Sequence, residues 1–196
     1  FFFKQKTAYE IMECDSSSDV CSSDLWLGLG IENPNNDLRK EIHKEGFQDV
    51  KVLDLINNIR DAGINVGGNY IFGLPYDTKE SMEATLQFAM ENPTEMANFY
   101  SAMAYPGSPL YNQARIFGQE LPTTYSGFSQ HSYDTLNLGN NNLTSAEILA
   151  FRDKAWDTYH SSEKYLNLLE NKFGQKARDE LDSTKKIKLK RKLLGD

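Results

Sequence analysis

The sequence predicts an α/β protein built on a parallel sheet and followed by a mostly helical C-terminal extension. Three features of the 196-residue chain predict it. Short apolar runs alternate with stretches whose apolar residues recur at helical spacing, as successive β-α units do. The connections between them are brief and use Gly and Pro as punctuation. After Gly118 the alternation stops, and amphipathic stripes without intervening strands take over.

Trp26-Leu27-Gly28-Leu29-Gly30-Ile31 is apolar almost throughout, the pattern of a buried parallel strand. From Gln48 to Ala62, Val52, Leu53, Ile56 and Ile59 form a helical stripe, and Gly63 suits the position that closes a helix. A second strand spans Ile64 to Phe72 and exits through Gly73-Leu74-Pro75. Asp77 and Glu80 have capping-box spacing and predict a helix to about Glu91, ahead of Pro93. Ala97 to Ala104 reads as a third strand. Ser108 then caps a helix to Phe117, with Pro109 in its first turn. Leu121 to Asn142, rich in Thr, Ser, Asn and Tyr, has no period and reads as an irregular connection. Thr144 and Glu147 make a second capping box. Stripes follow at Ile148, Phe151, Ala155 and Tyr159, and at Tyr165, Leu168, Leu169 and Phe173. The basic run Lys185 to Lys192 reads as the solvated or frayed end of the last helix, with a contact to an anionic partner as the alternative reading. Three β-α units make half of a barrel or a small open sheet, and the pattern alone fits both.

Composition bounds the function. A hydrophobic fraction of 39% and a charged fraction of 25% are ordinary for a globular chain. No apolar run reaches membrane-spanning length, and no signal-peptide pattern opens the chain, so the expected localisation is cytoplasmic. A net charge of −7 argues against a general nucleic-acid binder, which needs a basic surface. Residues 1–25 stand apart, with a Ser/Asp-rich stretch and no helix or strand period. Lys4 to Ile11 and Asp19 to Leu25 match what a sequencing-library adaptor would encode. We therefore read residues 1–25 as a non-native, disordered segment and expect a protein truncated ahead of Trp26. Cys14 and Cys21 both fall in that segment, so residues 26–196 offer no thiolate for a metal.

Ligands of parallel α/β folds sit beyond the carboxyl ends of the strands. Each of the three predicted strand ends carries an unusual group. Gly30-Ile31-Glu32-Asn33 places a carboxylate at the first, able to accept hydrogen bonds from a ribose or an ammonium group. Gly67-Gly68-Asn69-Tyr70-Ile71-Phe72-Gly73-Leu74-Pro75 places glycines inside and beyond the second, where a backbone or ligand approaches closely. Ala104-Tyr105-Pro106-Gly107-Ser108-Pro109-Leu110 forms a turn after the third. Each is also satisfactory as plain structure: a solvated loop acid, a structural turn, a helix start. Gly28-x-Gly30 lacks the third glycine of a dinucleotide fingerprint, and His43, His131 and His160 show no metal-ligand spacing.

In this order and spacing, however, the groups resemble the radical S-adenosylmethionine (SAM) superfamily, closest to the branch that often carries an N-terminal cobalamin-binding domain. The likeness covers Trp26 to Gly118 and corresponds to the fourth, fifth and sixth strands of a six-stranded partial β/α barrel. It implies two domains after the first 25 residues: half of a barrel at 26–118, then an irregular and helical extension at 119–196 that covers the barrel. It also implies SAM-binding roles. Glu32 would face the ribose or amino-acid moiety. Gly68, Ile71 and Gly73 would line the adenine, and Ala104, Tyr105 and Pro106 would offer it backbone. The family chemistry is reductive cleavage of SAM by a [4Fe–4S] cluster, giving a 5′-deoxyadenosyl radical that abstracts a substrate hydrogen. Cobalamin is a further cofactor implied through an upstream domain. The implied partners are the N-terminal half of the same protein and a small-molecule, lipid-type or sugar-type substrate. The family holds its cluster with a Cys-x-x-x-Cys-x-x-Cys loop, which this sequence lacks, so the chain by itself is expected to be inactive. Two rivals are another barrel lyase using Glu32 as acid or base, and a non-catalytic interaction module built on residues 144–196.

Overall fold

The computed structural model describes residues 25–33 and 51–196. The expectation of disorder for the first segment, the helix start at Gln48 and His43 therefore lie outside the described residues. Three parallel strands, β1 (Trp26–Glu32), β2 (Asn65–Phe72) and β3 (Met96–Ser101), lie in the order β1-β2-β3. Helices α1 (Val52–Asp61), α2 (Lys79–Glu91) and α3 (Pro109–Ile116) accompany them, and α4 (Ser145–Tyr159) and α5 (Glu163–Lys185) form the extension. This is an α/β fold consistent with part of a β/α barrel followed by a helical extension.

Strand alternation divides the sheet into two unlike faces. Leu29, Ile31, Val66, Tyr70, Phe72, Ala97 and Phe99 pack into one core with Ile56 and Ile59 of α1, Met82 and Ala89 of α2, and Ile148, Ala155 and Tyr159 of α4. Its centre is aromatic. Phe99 stacks on Tyr70 and Phe72 at centroid separations of 5.4 and 5.7 Å, and Phe151 meets Phe72 edge-on at 5.0 Å. Each such pair contributes about 0.5–1.5 kcal/mol beyond the area it buries. The alternate positions, Gly28, Gly30, Gly67, Asn69, Ile71, Asn98 and Tyr100, are absent from that core.

Polar side chains close the ends and the edge of the sheet. Glu95 leads into β3 with its carboxylate 1% exposed, and accepts from Val66 N (2.9 Å), Arg60 Nε (3.0 Å) and Lys172 Nζ (2.8 Å). Burial pushes this carboxyl up, and the bonds from Lys172, Val66 and Arg60 outweigh it and hold it below its ordinary range. Tyr159 Oη donates to Thr94 O (3.0 Å) and accepts from Thr94 N (3.1 Å). Along the outer edge of β3, Gln130 accepts from Ser101 N (3.1 Å) and donates to Ser101 O (2.9 Å). Arg152 Nε donates to Phe99 O at 2.7 Å. Side chains thus take the place of a neighbouring strand.

Four details differ from the sequence expectation. The box that caps α2 is Thr78 with Ser81, because the Asp77 carboxylate is engaged elsewhere and Thr78 takes the N-cap. β3 ends at Ser101 rather than Ala104. Its partner β2 stops at Phe72, after Gly73 turns away at φ 79°, and Ala102 O instead accepts from Leu138 N at 3.0 Å. β1 is buried only from Leu29 onward, with Trp26 49% exposed and stacked on Phe173 of α5. The basic run is not a helix end: α5 stops at Lys185, and Arg191 is buried. The Thr144–Glu147 box and the buried stripe of α4 are as expected.

His160, at the end of α4, is buried against Trp156, Tyr159 and Tyr165, with Nδ1 2.8 Å from Trp156 O. Burial lowers its pKa from 6.5 to about 4. Between those values the unfolded chain takes up a proton that the folded one refuses, so stability falls as pH falls. Relative to His160→Phe, the protein should lose up to about 3 kcal/mol of unfolding free energy between pH 6.5 and 4. Urea denaturation across that range checks this, and a constant difference between the two proteins would refute it.

Candidate functional site

Parallel strands place all three carboxyl ends, and the predicted group that follows each, at one end of the sheet. The chain leaves β1 through an irregularity in pairing: Gly30 lies opposite Asn69 and Glu32 opposite Tyr70, so Ile31 is the extra residue. Glu32 adopts φ 58°, a left-handed conformation a non-glycine residue takes only when its surroundings impose it. It is 8% exposed, so it is not a solvated loop acid. Ile71 stands in register with Tyr100 on the face away from the core, two residues beyond Asn69.

A polar pair on this same face was not singled out from the sequence. Asn98 Nδ2 donates to Asn69 Oδ1 (3.0 Å), and Asn69 Nδ2 donates to Leu29 O (3.3 Å). The amides thus bridge all three strands. Beside them lie Gly28 and Gly30, with no side chain to fill the space. Among the described residues, a Cβ on Gly28 would meet only Asn69 Nδ2, at 3.6 Å. The signal in the sequence was the period of two in Gly67-x-Asn69-x-Ile71, read along the strand as a glycine-rich run rather than divided by face.

The structure separates the remaining predicted residues. Gly68 is turned to the helix side, where a Cβ would lie 2.8 Å from Thr94 Oγ1 and 3.1 Å from the Tyr70 ring. Gly73 combines positive φ with close approach of α4, since a Cβ would sit 2.6 Å from two carbons of Ile148. Both glycines have a packing reason for being glycine. Ala104 is buried in a second small cluster with Ala114 and Leu138. Tyr105 is half exposed, its ring 6.3 Å from that of Phe128, and Pro106 is exposed. Glu32 and Ile71 therefore belong to the sheet's second face and its rim, Ala104 to Pro106 to the loop beyond β3, and Gly68 and Gly73 to the opposite side.

The loops at this end are fixed by Asp77, which is fully buried. Its carboxylate accepts from Ser81 Oγ (2.7 Å), Leu74 N (2.9 Å) and Asn33 Nδ2 (3.4 Å). Asn140 and Asn142 donate to its main-chain carbonyl at 3.0 and 3.1 Å. Burial pushes the Asp77 carboxyl above its ordinary range, against the bonds from Ser81 and Leu74. This network joins the exits of β1 and β2 to the extension. A cleft of about 550 Å³ opens beside it, between Gly73 and Tyr76, Leu110 and Phe117, and Leu138 to Asn141. Of the predicted residues only Gly73 lines that cleft. Among the described residues, no group of three or more His, Cys, Asp or Glu could hold a metal ion. Nor is any helix among them long and apolar enough to cross a membrane.

The fold is a parallel β/α unit whose candidate site lies at the strand carboxyl termini. No family model matches the sequence. The chain is 27% identical over 109 residues to bacteriochlorophyllide d C-12(1)-methyltransferase of Chlorobaculum tepidum, covering 56% of this chain and 22% of that protein. It is 28% identical over 110 residues to hopanoid C-2 methylase of Rhodopseudomonas palustris, covering 56% and 20%. It is 38% identical over 73 residues to biotin synthase of Legionella pneumophila, covering 37% and 23%. These relatives are radical SAM enzymes, and the resemblance read from the motifs stands. The chain matches less than a quarter of the length of each of these three.

Gly73→Ala should cost about 2 kcal/mol or more, from positive φ and the clash with Ile148. Gly118→Ala, with positive φ but open space, should cost about 1 kcal/mol. Denaturant midpoints of the two variants decide this, and equal losses would show that Ile148 yields freely.

Proposed function

We propose that residues 26–118 are the fourth to sixth β-α units of a radical SAM enzyme and form one wall of its SAM site. Residues 119–196 are then the covering extension. What supports the reading most is the division of the sheet: helices pack one face, while the other carries small and polar residues leading up to Glu32. In this reading Glu32 meets the ribose or amino-acid part of SAM, Ile71 lies on the adenine, and Ala104 to Pro106 offer it main chain. Gly68 and Gly73 act indirectly, by letting Thr94, Tyr70 and Ile148 hold the strand in place.

The family's [4Fe–4S] cluster needs thiolates. The only cysteines, Cys14 and Cys21, fall outside the described residues, and no Cys-x-x-x-Cys-x-x-Cys loop is present. These residues do not fit the cluster, so the chain's own part is confined to binding and shielding SAM, and by itself it is inactive. Two of the relatives are named for methyl transfer and one for biotin synthesis. We therefore assign the segment the SAM-holding role common to different reactions, not the choice of product. Cobalamin, and a lipid-type or sugar-type substrate, are assigned to the rest of the intact enzyme and to its extension.

Titrating the labelled chain with SAM and following its amide resonances tests the reading. One wall of a site should give weak, millimolar binding, with shifts at Glu32, Ile71, Tyr100 and Tyr105 that Ile71→Glu abolishes. Absence of shifts at millimolar SAM, or shifts confined to α5, would refute it.

A further inference from the structure

Beyond α5 the chain neither continues the helix nor frays. Ile187 to Arg191 runs without helix or turn, as a strap across the outer side of α4. Its far end is locked. Arg191 is 1% exposed and donates to both oxygens of Asp153 at 2.8 and 2.9 Å and to Ser132 O at 3.1 Å, while Lys192 N donates to Tyr133 O at 2.9 Å. Between the end of α5 and this anchor Ile187 is 69% exposed and Leu189 40% exposed, interleaved with exposed Lys186, Lys188 and Lys190. A mostly apolar groove of about 380 Å³ lies behind them, against Trp156 and His131. Three acids face the strap: Asp157 pairs with Lys188 at 2.8 Å, while Asp153 and Asp196 are both taken up by Arg191, which leaves Lys186 and Lys190 exposed on it. Lys185, Lys186, Lys188, Lys190, Arg191 and Lys192 form a run without a single acid in a chain of net charge −7.

We propose that this strap is a peripheral docking surface for an anionic phospholipid bilayer, independent of the barrel reading. Lysines bind lipid phosphates while their stems, with Ile187 and Leu189, enter the headgroup boundary. The alternation favours lipid over other anionic partners. A nucleic acid would leave both aliphatic tips in water, and the strap offers no aromatic ring on which a base could stack. An extended acidic peptide would cover the lysines without giving two exposed aliphatic side chains an apolar medium. The Arg191 anchor fixes the strap before binding, so little ordering remains to oppose association.

Co-sedimentation of the full chain with phosphatidylcholine vesicles, with and without phosphatidylglycerol, tests this. The protein should bind only the anionic vesicles, and less as salt rises. Lys186→Glu with Lys190→Glu should weaken binding by about tenfold or more. Ile187→Ser with Leu189→Ser should weaken it several-fold, and Lys176→Glu, on exposed α5, should leave it unchanged. Circular dichroism confirms that each variant is folded, and the wild-type comparison of the two vesicle types stands without any variant. Failure of the folded wild type to bind anionic vesicles overturns the proposal, as does binding that neither double variant weakens. Equal affinity for polyglutamate, with no loss in the Ile187→Ser, Leu189→Ser variant, also overturns it and assigns the strap to an acidic polypeptide.

Discussion

The outer edge of β3 is the constraint on which the rest of the structure depends. A parallel sheet with a bare edge presents unpaired N–H and C=O groups, which invite another strand. Here Gln130 satisfies both backbone groups of Ser101, and Arg152 takes the carbonyl of Phe99. Arg152 is held in turn by Asp153, which holds Arg191. A single line of charge-assisted bonds thus runs from the basic strap, through α4, to the edge of the sheet. The extension is what ends the sheet on this side, and under the proposed reading the remaining barrel strands add beyond β1.

The two faces of the sheet follow from the same economy. One face is filled by Phe99, Phe72 and Tyr70 against α4, and those side chains fix how closely the helix approaches. Gly68 and Gly73 are small because Thr94, Tyr70 and Ile148 occupy the space a Cβ would need. On the other face Gly28 and the Asn69–Asn98 pair, among the described residues, leave room and hydrogen-bonding capacity on the strands that lead to Glu32. The strained backbone of Glu32 sits where the faces meet the loops, with Asp77 holding the neighbouring exits together.

Much of the fold was legible because it rests on local signals. The apolar runs, the Thr144–Glu147 box, the Ser108–Pro109 start and the stripe from Ile148 to Tyr159 each act within a few residues. What was not legible depends on partners distant in sequence. Arg191 reads as one more cation in a basic run until Asp153, far earlier in the chain, is seen to bury it. Asp77 reads as a helix cap until Asn33 and Asn140 converge on its loop. The site was legible in part. Glu32 and Ile71 were found as residues at a strand end, but the division of glycines between faces needed strand register, which fixes whether Gly68 meets a ligand or Thr94.

Native-state hydrogen exchange at Ser101 tests the sealed edge most directly. In this account its amide, bonded to Gln130, exchanges as slowly as the neighbouring Ala102 amide, which donates to Phe72 O of β2 just past the end of β3. In Gln130→Ala the Ser101 amide should lose that protection while Ala102 keeps its own. Rapid exchange at Ser101 in the unaltered protein would contradict the account, and the extension would then lie beside the sheet without ending it.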